Sequence, residues 1–350
     1  MTASIKAITA RPVVVPMPEP HQTATATIVE SPLVLVTAET SEAAGYAIVF
    51  TYTAAALGPT ASLLENMGGL LRGDAADPRE VERKLQQRFR LLGNEGLVAM
   101  AQAGIDMALW DAKARAAGMS LCAMLGGTER KIRAYGAVGY DGVKRSAEVA
   151  EAWAKRGFRG VKAKIGYPTV REDVEVVRAM RSAVGPEVAL MVDYNQSLTP
   201  AEAVERARVL DGEGLAWIEE PVHAHDHAGH AQVAASARTA LNAGENWWGA
   251  AEVAQAILAR AVDLVMLDAM KIGGVTGWMR AAALAEAHQL PVSSHLWPEI
   301  SAQLLAVSAT ASWLEYADWW NPILAEPLRI EDGFAVPSDK PGSGVSFREL

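Results

Sequence analysis

Three carboxylates recur at equal spacing along the middle of this chain. They are Asp193 in Leu-Met-Val-Asp, Glu219 in Trp-Ile-Glu-Glu and Glu245 in Asn-Ala-Gly-Glu, each 26 residues from the next. Carboxylates gathered at one place repel unless a cation sits among them. An all-oxygen set of this kind suits Mg²⁺, which keeps water or substrate oxygens as its remaining ligands. Upstream, Val161-Lys-Ala-Lys-Ile165 places Lys162 and Lys164 two residues apart, so on a strand both ammonium groups project to one face. Their mutual repulsion predicts that at least one gives up its proton more readily than a free lysine, as a general base must. Downstream, Asp268, His295 and Glu315 also close short apolar runs. A neighbouring carboxylate orients an imidazole and raises its basicity, so Asp268 and His295 are read as a pair. Lysine on one side, histidine with aspartate on the other and a cation between them suit proton removal from either face of one carbon. That carbon would be α to a carboxylate. Its deprotonation gives a dianionic enediolate, whose charge Mg²⁺, Lys162 and a protonated Glu315 would stabilise. Glu220 follows Glu219 and points to the opposite face of a strand, a supporting position.

These residues need a scaffold that gathers them. Candidate strands end near Ala137, Lys164, Asp193, Glu219, Glu245, Asp268, His295 and Glu315, and the gaps between successive ends are 27, 29, 26, 26, 23, 27 and 20 residues. Each gap is the length of one strand-helix unit, and Ala-, Glu- and Arg-rich stretches of helical character fill them. Eight such strands point to a closed parallel barrel, whose strand C-termini converge on one mouth. Seven of the eight ends are ionisable, far from the scatter of Asp, Ser and Gly expected at ordinary turns. An open doubly wound sheet is the alternative, but no Gly-rich dinucleotide fingerprint follows an early strand.

Ahead of the barrel, residues 1 to about 53 read as strands, with Val13-Val14-Val15, Leu33 to Val36 and Ala47 to Phe50 as apolar, β-branched runs. Pro16, Pro18 and Pro20 predict a loop over 16–24. Residues 58–118 switch to helical spacing, and Gly126-Gly127 closes that block. After about residue 322 a polar, Pro- and Gly-bearing segment carries no ninth unit and is expected to fold back onto the N-terminal region.

Composition bounds the rest. The chain has 350 residues, 50% hydrophobic and 21% charged, the balance of an ordinary globular protein. A net charge of −9 argues against nucleic acid and against a polybasic membrane contact. No apolar run is long enough to span a bilayer, and the N-terminus lacks the pattern of a signal peptide. The single cysteine, Cys122, cannot form an internal disulfide and is read as core, so a reducing cytoplasm is the expected compartment.

Segments 161–168, 191–198, 217–221, 244–247, 268–278, 293–296 and 313–315 resemble the mandelate racemase subgroup of the enolase superfamily, and the likeness extends over essentially the whole chain. A Lys or His base working with Mg²⁺ is established chemistry for that superfamily. The resemblance implies an α/β fold, a modified TIM barrel (β/α)₇β with an α+β capping domain built from both chain ends. The expected division is 1–125 for the cap, 126–321 for the barrel and 322–350 for the returning segment. It implies one Mg²⁺ per subunit on Asp193, Glu219 and Glu245. Lys164 would be the base for one enantiomer, and His295 with Asp268 would serve the other. Lys162 would contact the substrate carboxylate and Glu315 would donate a hydrogen bond to it, while Asn195 and Lys271 match positions near the substrate. The segment Ala103 to Asp111 matches a family helix. A homo-oligomer, octameric by resemblance, is implied as well.

Two departures bear on specificity. Ala137 stands where mandelate racemase has a serine that touches the substrate carboxylate. The three valines lining its aryl pocket correspond to His21, Thr25 and Ile28, while Phe50 and Tyr52 keep an aromatic second capping loop. A more polar pocket changes which side chain is welcome and leaves α-proton chemistry intact.

The favoured function is two-base racemisation of a 2-hydroxy acid, and the alternative is dehydration of an acid sugar (aldonate or aldarate) by the same residues. A non-catalytic descendant would have lost a ligand or a base, and none is lost. The small-molecule partner is thus a 2-hydroxy acid or an acid sugar. The tract His223-Ala-His-Asp-His-Ala-Gly-His230 has spacing that a transition metal could use and is read as an exposed loop. Trp319-Trp320 is assigned to a barrel end or a subunit contact.

Overall fold

An antiparallel sheet of order β1 (Ile5–Gln22), β2 (Thr27–Thr40) and β3 (Ala44–Phe50) opens the chain in the computed structural model, which describes residues 3–24 and 26–349. β1 runs straight through Pro16, Pro18 and Pro20, contrary to the loop expected over 16–24. The reason is its place at the sheet edge: a proline whose missing N–H would face away from the ladder removes no hydrogen bond. The register slips between the Pro16–Glu30 and His21–Ile28 pairs, and that irregularity absorbs the remaining prolines.

Helices α1 (Ala54–Leu71), α2 (Pro78–Phe89), α3 (Gly96–Ala116) and the short α4 (Leu121–Met124) follow. α3 is buried nearly all round, because it packs on the sheet with one side and on the barrel with the other. Gly45 on β3 permits that approach, since a Cβ there would lie 2.1 Å from the carbonyl oxygen of Ala108. Cys122 on α4 is fully buried.

The barrel alternates strictly. Its units are β4 (Ile132–Val138) with α5 (Gly142–Lys155), β5 (Gly160–Lys164) with α6 (Val170–Val184), and β6 (Ala189–Asp193) with α7 (Pro200–Leu210). Then come β7 (Trp217–Glu219) with α8 (His227–Ser236), β8 (Leu241–Ala243) with α9 (Gly249–Leu258), and β9 (Leu264–Asp268) with α10 (Gly274–Ala287). β10 (Val292–His295), α11 (Pro298–Val307) and β11 (Trp313–Tyr316) complete the (β/α)₇β order. Neighbours pair in parallel from β4 through β10, β11 pairs β4, and a parallel bridge between Val292 and Ala311 joins the β10 and β11 ends. The hairpin of β12 (Arg329–Glu331) and β13 (Phe334–Val336) pairs antiparallel with the start of β4.

One cluster explains how this barrel presents its chemistry. Tyr135, Met191, Trp217, Met266 and Trp313, from five strands, pack together as a separate apolar core. Side chains on a strand share a face at every second residue. The next inward positions toward the mouth are therefore Ala137, Asp193, Glu219, Asp268 and Glu315. A bulky apolar floor thus sits one layer below a polar ring.

The C-terminal segment lies against the cap: Ser120 bridges to Gly342, Ser343 hydrogen-bonds Asp111, and Arg115 donates to the carbonyl of Val345. Among the described residues no helix is long and apolar enough to cross a membrane.

Candidate active site and metal centre

Asp193, Glu219 and Glu245 are buried and bring one carboxylate oxygen each to within 4.8 Å of the others, the one such group of three metal-ligating side chains among the described residues. Asp193 and Glu219 end their strands, whereas β8 stops at Ala243 and Glu245 follows a glycine. Gly244 has φ +134°, and a Cβ there would sit 2.4 Å from the carbonyl oxygen of Met266, so only glycine makes the turn that delivers Glu245. Two of the three carboxylates are fixed from behind. Trp217 Nε1 donates to Glu219 at 2.9 Å, and the Asn195 backbone N–H donates to Asp193 at 2.7 Å. A buried, crowded, hard-oxygen set held this way fits Mg²⁺.

Lys162 is buried, bonded to Glu219, 3.0 Å from Glu315 and 4.0 Å from Asp193. Lys164 reaches Asp193 at 3.2 Å and Asn195 at 2.5 Å. The expected loss of lysine basicity is not found. Burial disfavours both charged forms, but Glu219 and Glu315 beside Lys162, and Asp193 beside Lys164, hold both pKa values above the ordinary lysine value. The lysines face more negative charge than they exert on each other. Glu315 likewise departs from the protonated donor expected: burial would raise it, but Lys162, His295 and the Leu296 N–H bring it down to about 2. It is an acceptor here, taking hydrogen bonds from Lys162 and Leu296, each at 3.0 Å.

Across the mouth, His295 Nδ1 lies 2.7 Å from Asp268, and its Nε2 is 3.6 Å from Glu245 and 3.9 Å from Glu315. Burial works against the imidazolium, yet Glu245 and the Asp268 hydrogen bond raise the pKa above the usual histidine value. Asp268 is itself held by the backbone N–H groups of Met270 and Lys271. β5 and β10 lie apart around the barrel, separated by β11 and β4 on the short side, so Lys164 and His295 flank the carboxylates from different directions.

The cap closes this mouth. His21 and Trp319, with ring centroids 5.3 Å apart, wall a cavity of about 40 Å³ whose other lining includes Lys162, Lys164, His295 and Glu315. Burial and the nearby Lys164 lower His21 to about 4, so it stands neutral at ordinary pH. Beyond that wall a hollow of about 240 Å³ shares His21, Ala137, Ala317 and Trp319, and carries Asp141, Arg145 and Arg156.

Other expected substrate contacts are placed differently. Phe50 is buried among Tyr52, Trp319 and Trp320, and Ile28 is half-buried as the β2 partner of His21. Neither lines the cavity, and Thr25 lies outside the described residues. Lys271 bonds Asn246 at 2.5 Å and lies 4.8 Å over the Tyr52 ring, and Asn195 serves Lys164 and Asp193. In the histidine tract His225 bonds Glu252, His227 lies 3.9 Å from the same carboxylate, and His230 is buried. Sequence reasoning passed over Trp217 and Asn246 and gave Trp319 another role. Trp217 had a signal, since it lies two residues before Glu219 on the same strand face.

Residues 5–126 match the mandelate racemase/muconate lactonizing enzyme N-terminal domain family, and residues 144–350 match the enolase C-terminal domain-like family. The chain belongs to the enolase superfamily. Among its superfamily relatives, the L-talarate/galactarate dehydratase of Salmonella typhimurium is 33% identical over 87% of this chain and 77% of its own length. The D-galactarolactone cycloisomerase of Agrobacterium fabrum is 34% identical over 83% of this chain and 82% of its own. A Bradyrhizobium enolase crystallised with magnesium and mandelic acid superposes with a TM-score of 0.95 at 41% identity, covering 99% of this chain and 96% of that one. The protein is accordingly an enolase-superfamily enzyme of Mg²⁺-dependent proton abstraction. Mg²⁺ is its cofactor, and Asp193, Glu219 and Glu245 form the group suited to hold it.

Proposed function

We propose that this enzyme dehydrates an acid sugar, an aldonate or aldarate, to its 2-keto-3-deoxy acid. The observation that carries the reading is the placement of Lys164 and the His295–Asp268 pair on different sides of one carboxylate cluster. Bound at Asp193, Glu219 and Glu245, Mg²⁺ would supply positive charge to the substrate carboxylate as the enediolate forms. Lys162, fixed between Glu219 and Glu315, presents its ammonium to that same carboxylate. Lys164 would take the α-proton: the charge of Mg²⁺ bound at Asp193 would offset the carboxylate that holds its ammonium protonated, making the neutral form accessible. His295, oriented by Asp268, gives a proton to the β-hydroxyl as the carbon–oxygen bond breaks and the electron pair becomes the Cα–Cβ double bond. Water departs, and the enol tautomerises to the ketone.

The dehydratase and cycloisomerase relatives favour this outcome over the racemisation that the sequence favours. The polar wall of His21 and the charged hollow beyond it suit a hydroxyl-bearing tail better than an aryl ring. Racemisation of a 2-hydroxy acid is the second reading. It needs two opposed bases and no leaving group, and the Bradyrhizobium neighbour binds mandelic acid.

Proton NMR in D₂O with Mg²⁺ decides between them, using both mandelate enantiomers and a panel of five- and six-carbon aldonates and aldarates. Conversion of an acid sugar to a 2-keto-3-deoxy product is expected. Exchange and racemisation of mandelate with every acid sugar untouched would replace the dehydratase reading with the racemase. Absence of exchange from every acid would end both.

A further inference from the structure

Asn246 follows the carboxylate Glu245 and makes three directed contacts. Its Nδ2 donates to Glu220 at 2.7 Å and to Glu245 at 3.3 Å, while its Oδ1 accepts from Lys271 at 2.5 Å. An amide carries two N–H donors on one side and a carbonyl on the other. Here both donors meet carboxylates and the carbonyl meets an ammonium, so only one orientation of the amide satisfies all three. The Lys271 ammonium in turn sits 4.8 Å from the ring centroid of Tyr52, within cation–π range.

Tyr52 belongs to the cap, in the short connection between β3 and α1. It holds φ at +58°, in the left-handed region that a bulky residue rarely adopts, and is 42% exposed. Its ring packs at 4.6 Å on Phe50, which is fully buried in the cap. A continuous chain therefore runs from the cap to the cation site: Phe50, Tyr52, Lys271, Asn246, Glu245.

We propose that Tyr52, Lys271 and Asn246 form a strut that sets the orientation of Glu245 from the capping domain, so that seating of the cap tunes Mg²⁺ affinity. In this arrangement Lys271 and Asn246 are positioning residues. The Lys271 ammonium is engaged by Asn246 and Tyr52 and does not line the closed cavity. Residues that orient a metal ligand change metal affinity by about 10–100-fold when removed. The strut concerns the cation site and holds whether the substrate is dehydrated or racemised.

Isothermal titration of the full-length protein with MgCl₂ alone, without substrate, tests it. Asn246→Ala is expected to raise the Kd for Mg²⁺ by about 10-fold or more. Tyr52→Leu, which removes the π-face from a distant domain, is expected to raise it several-fold, and Tyr52→Phe, which keeps the face, to leave it unchanged. Because both act through one chain, Tyr52→Leu combined with Asn246→Ala should bind Mg²⁺ no more weakly than Asn246→Ala alone. Lys271→Met keeps the side-chain bulk and should reproduce Asn246→Ala if the latter fails to fold, as judged by thermal unfolding. Wild-type affinity in Asn246→Ala or Lys271→Met overturns the proposal. So does weakening by Asn246→Ala with no effect of Tyr52→Leu, which would confine the role of Asn246 to the barrel. None of these titrations depends on turnover, so they stand apart from the outcome of the substrate panel.

Discussion

Thr276→Val should loosen the joint between cap and barrel, and more at alkaline than at acid pH. Thr276 begins α10 of the barrel, and its hydroxyl does two jobs. It donates to Asp106 Oδ1 at 2.5 Å and accepts the indole N–H of Trp110 at 2.8 Å, both on α3 of the cap. The Thr276 backbone N–H adds a bond to Asp106 Oδ2 at 3.0 Å, which the substitution leaves in place. Valine matches threonine in shape, so packing is kept while one buried carboxylate oxygen and one buried indole N–H lose their partner. At about 1–3 kcal/mol for each of the two unsatisfied buried groups, the loss is about 2–6 kcal/mol. For a chain of this size that corresponds to a fall in Tm of about 3–8 °C.

The pH dependence follows from Asp106. Burial raises its carboxyl to about 7, against the lowering effect of the Thr276 hydrogen bonds. The unfolded chain releases this proton near the ordinary aspartate value, so the contribution of Asp106 to wild-type stability falls as pH rises from about 4 to about 7 and is level above that. Removing the hydroxyl takes away a bond that favours the charged form, lifts the carboxyl above about 7, and extends the decline to higher pH. Differential scanning calorimetry at pH 5.5 and pH 8 should show the larger deficit at pH 8. A deficit under about 0.5 kcal/mol at both values, or a larger one at pH 5.5, would refute the reasoning.

Lys164→Ala should abolish α-proton exchange on an acid sugar, whereas His295→Asn should keep that exchange and lose elimination of the β-hydroxyl, both read by NMR in D₂O. Loss of exchange in His295→Asn with Lys164→Ala still exchanging would make His295 a base and undo the assignment of acid and base. Mg²⁺ at about 100 times its Kd should stabilise the wild type by about 2.7 kcal/mol, and EDTA should remove that gain. Asp193→Asn should lose it as well, and a Mg²⁺-dependent shift in Tm surviving in that variant would place the cation elsewhere.

The sequence by itself determined the number of barrel units and, Glu245 apart, the residues at or next to their strand ends. Strand ends one unit apart, each carrying Lys, Asp, Glu or His, fit a scaffold that brings them to one mouth, where opposite charges and a cation can offset one another. Period-two geometry then fixed which side chains face inward. Asp193 and Glu219 sit two residues above Met191 and Trp217, which pack the floor. These are local rules, and local rules are legible in a chain.

Only the tertiary structure decided what depends on partners distant in sequence. The prolines of β1 were compatible with a strand because that strand became an edge, a fact that belongs to the sheet. Carboxylates from β6, β7 and β11 face Lys162 and Lys164 and favour their charged forms, and a pairwise reading of Lys-x-Lys omits those charges. Trp319 entered the site through a tilted ring contact with His21, far from it in the sequence. Phe50 packed into the cap, and Lys271 turned to Asn246 and Tyr52. Strand periodicity tells which way a side chain points. What it meets there depends on every other element that arrives at the same place, and the energy of a buried charge depends on that meeting.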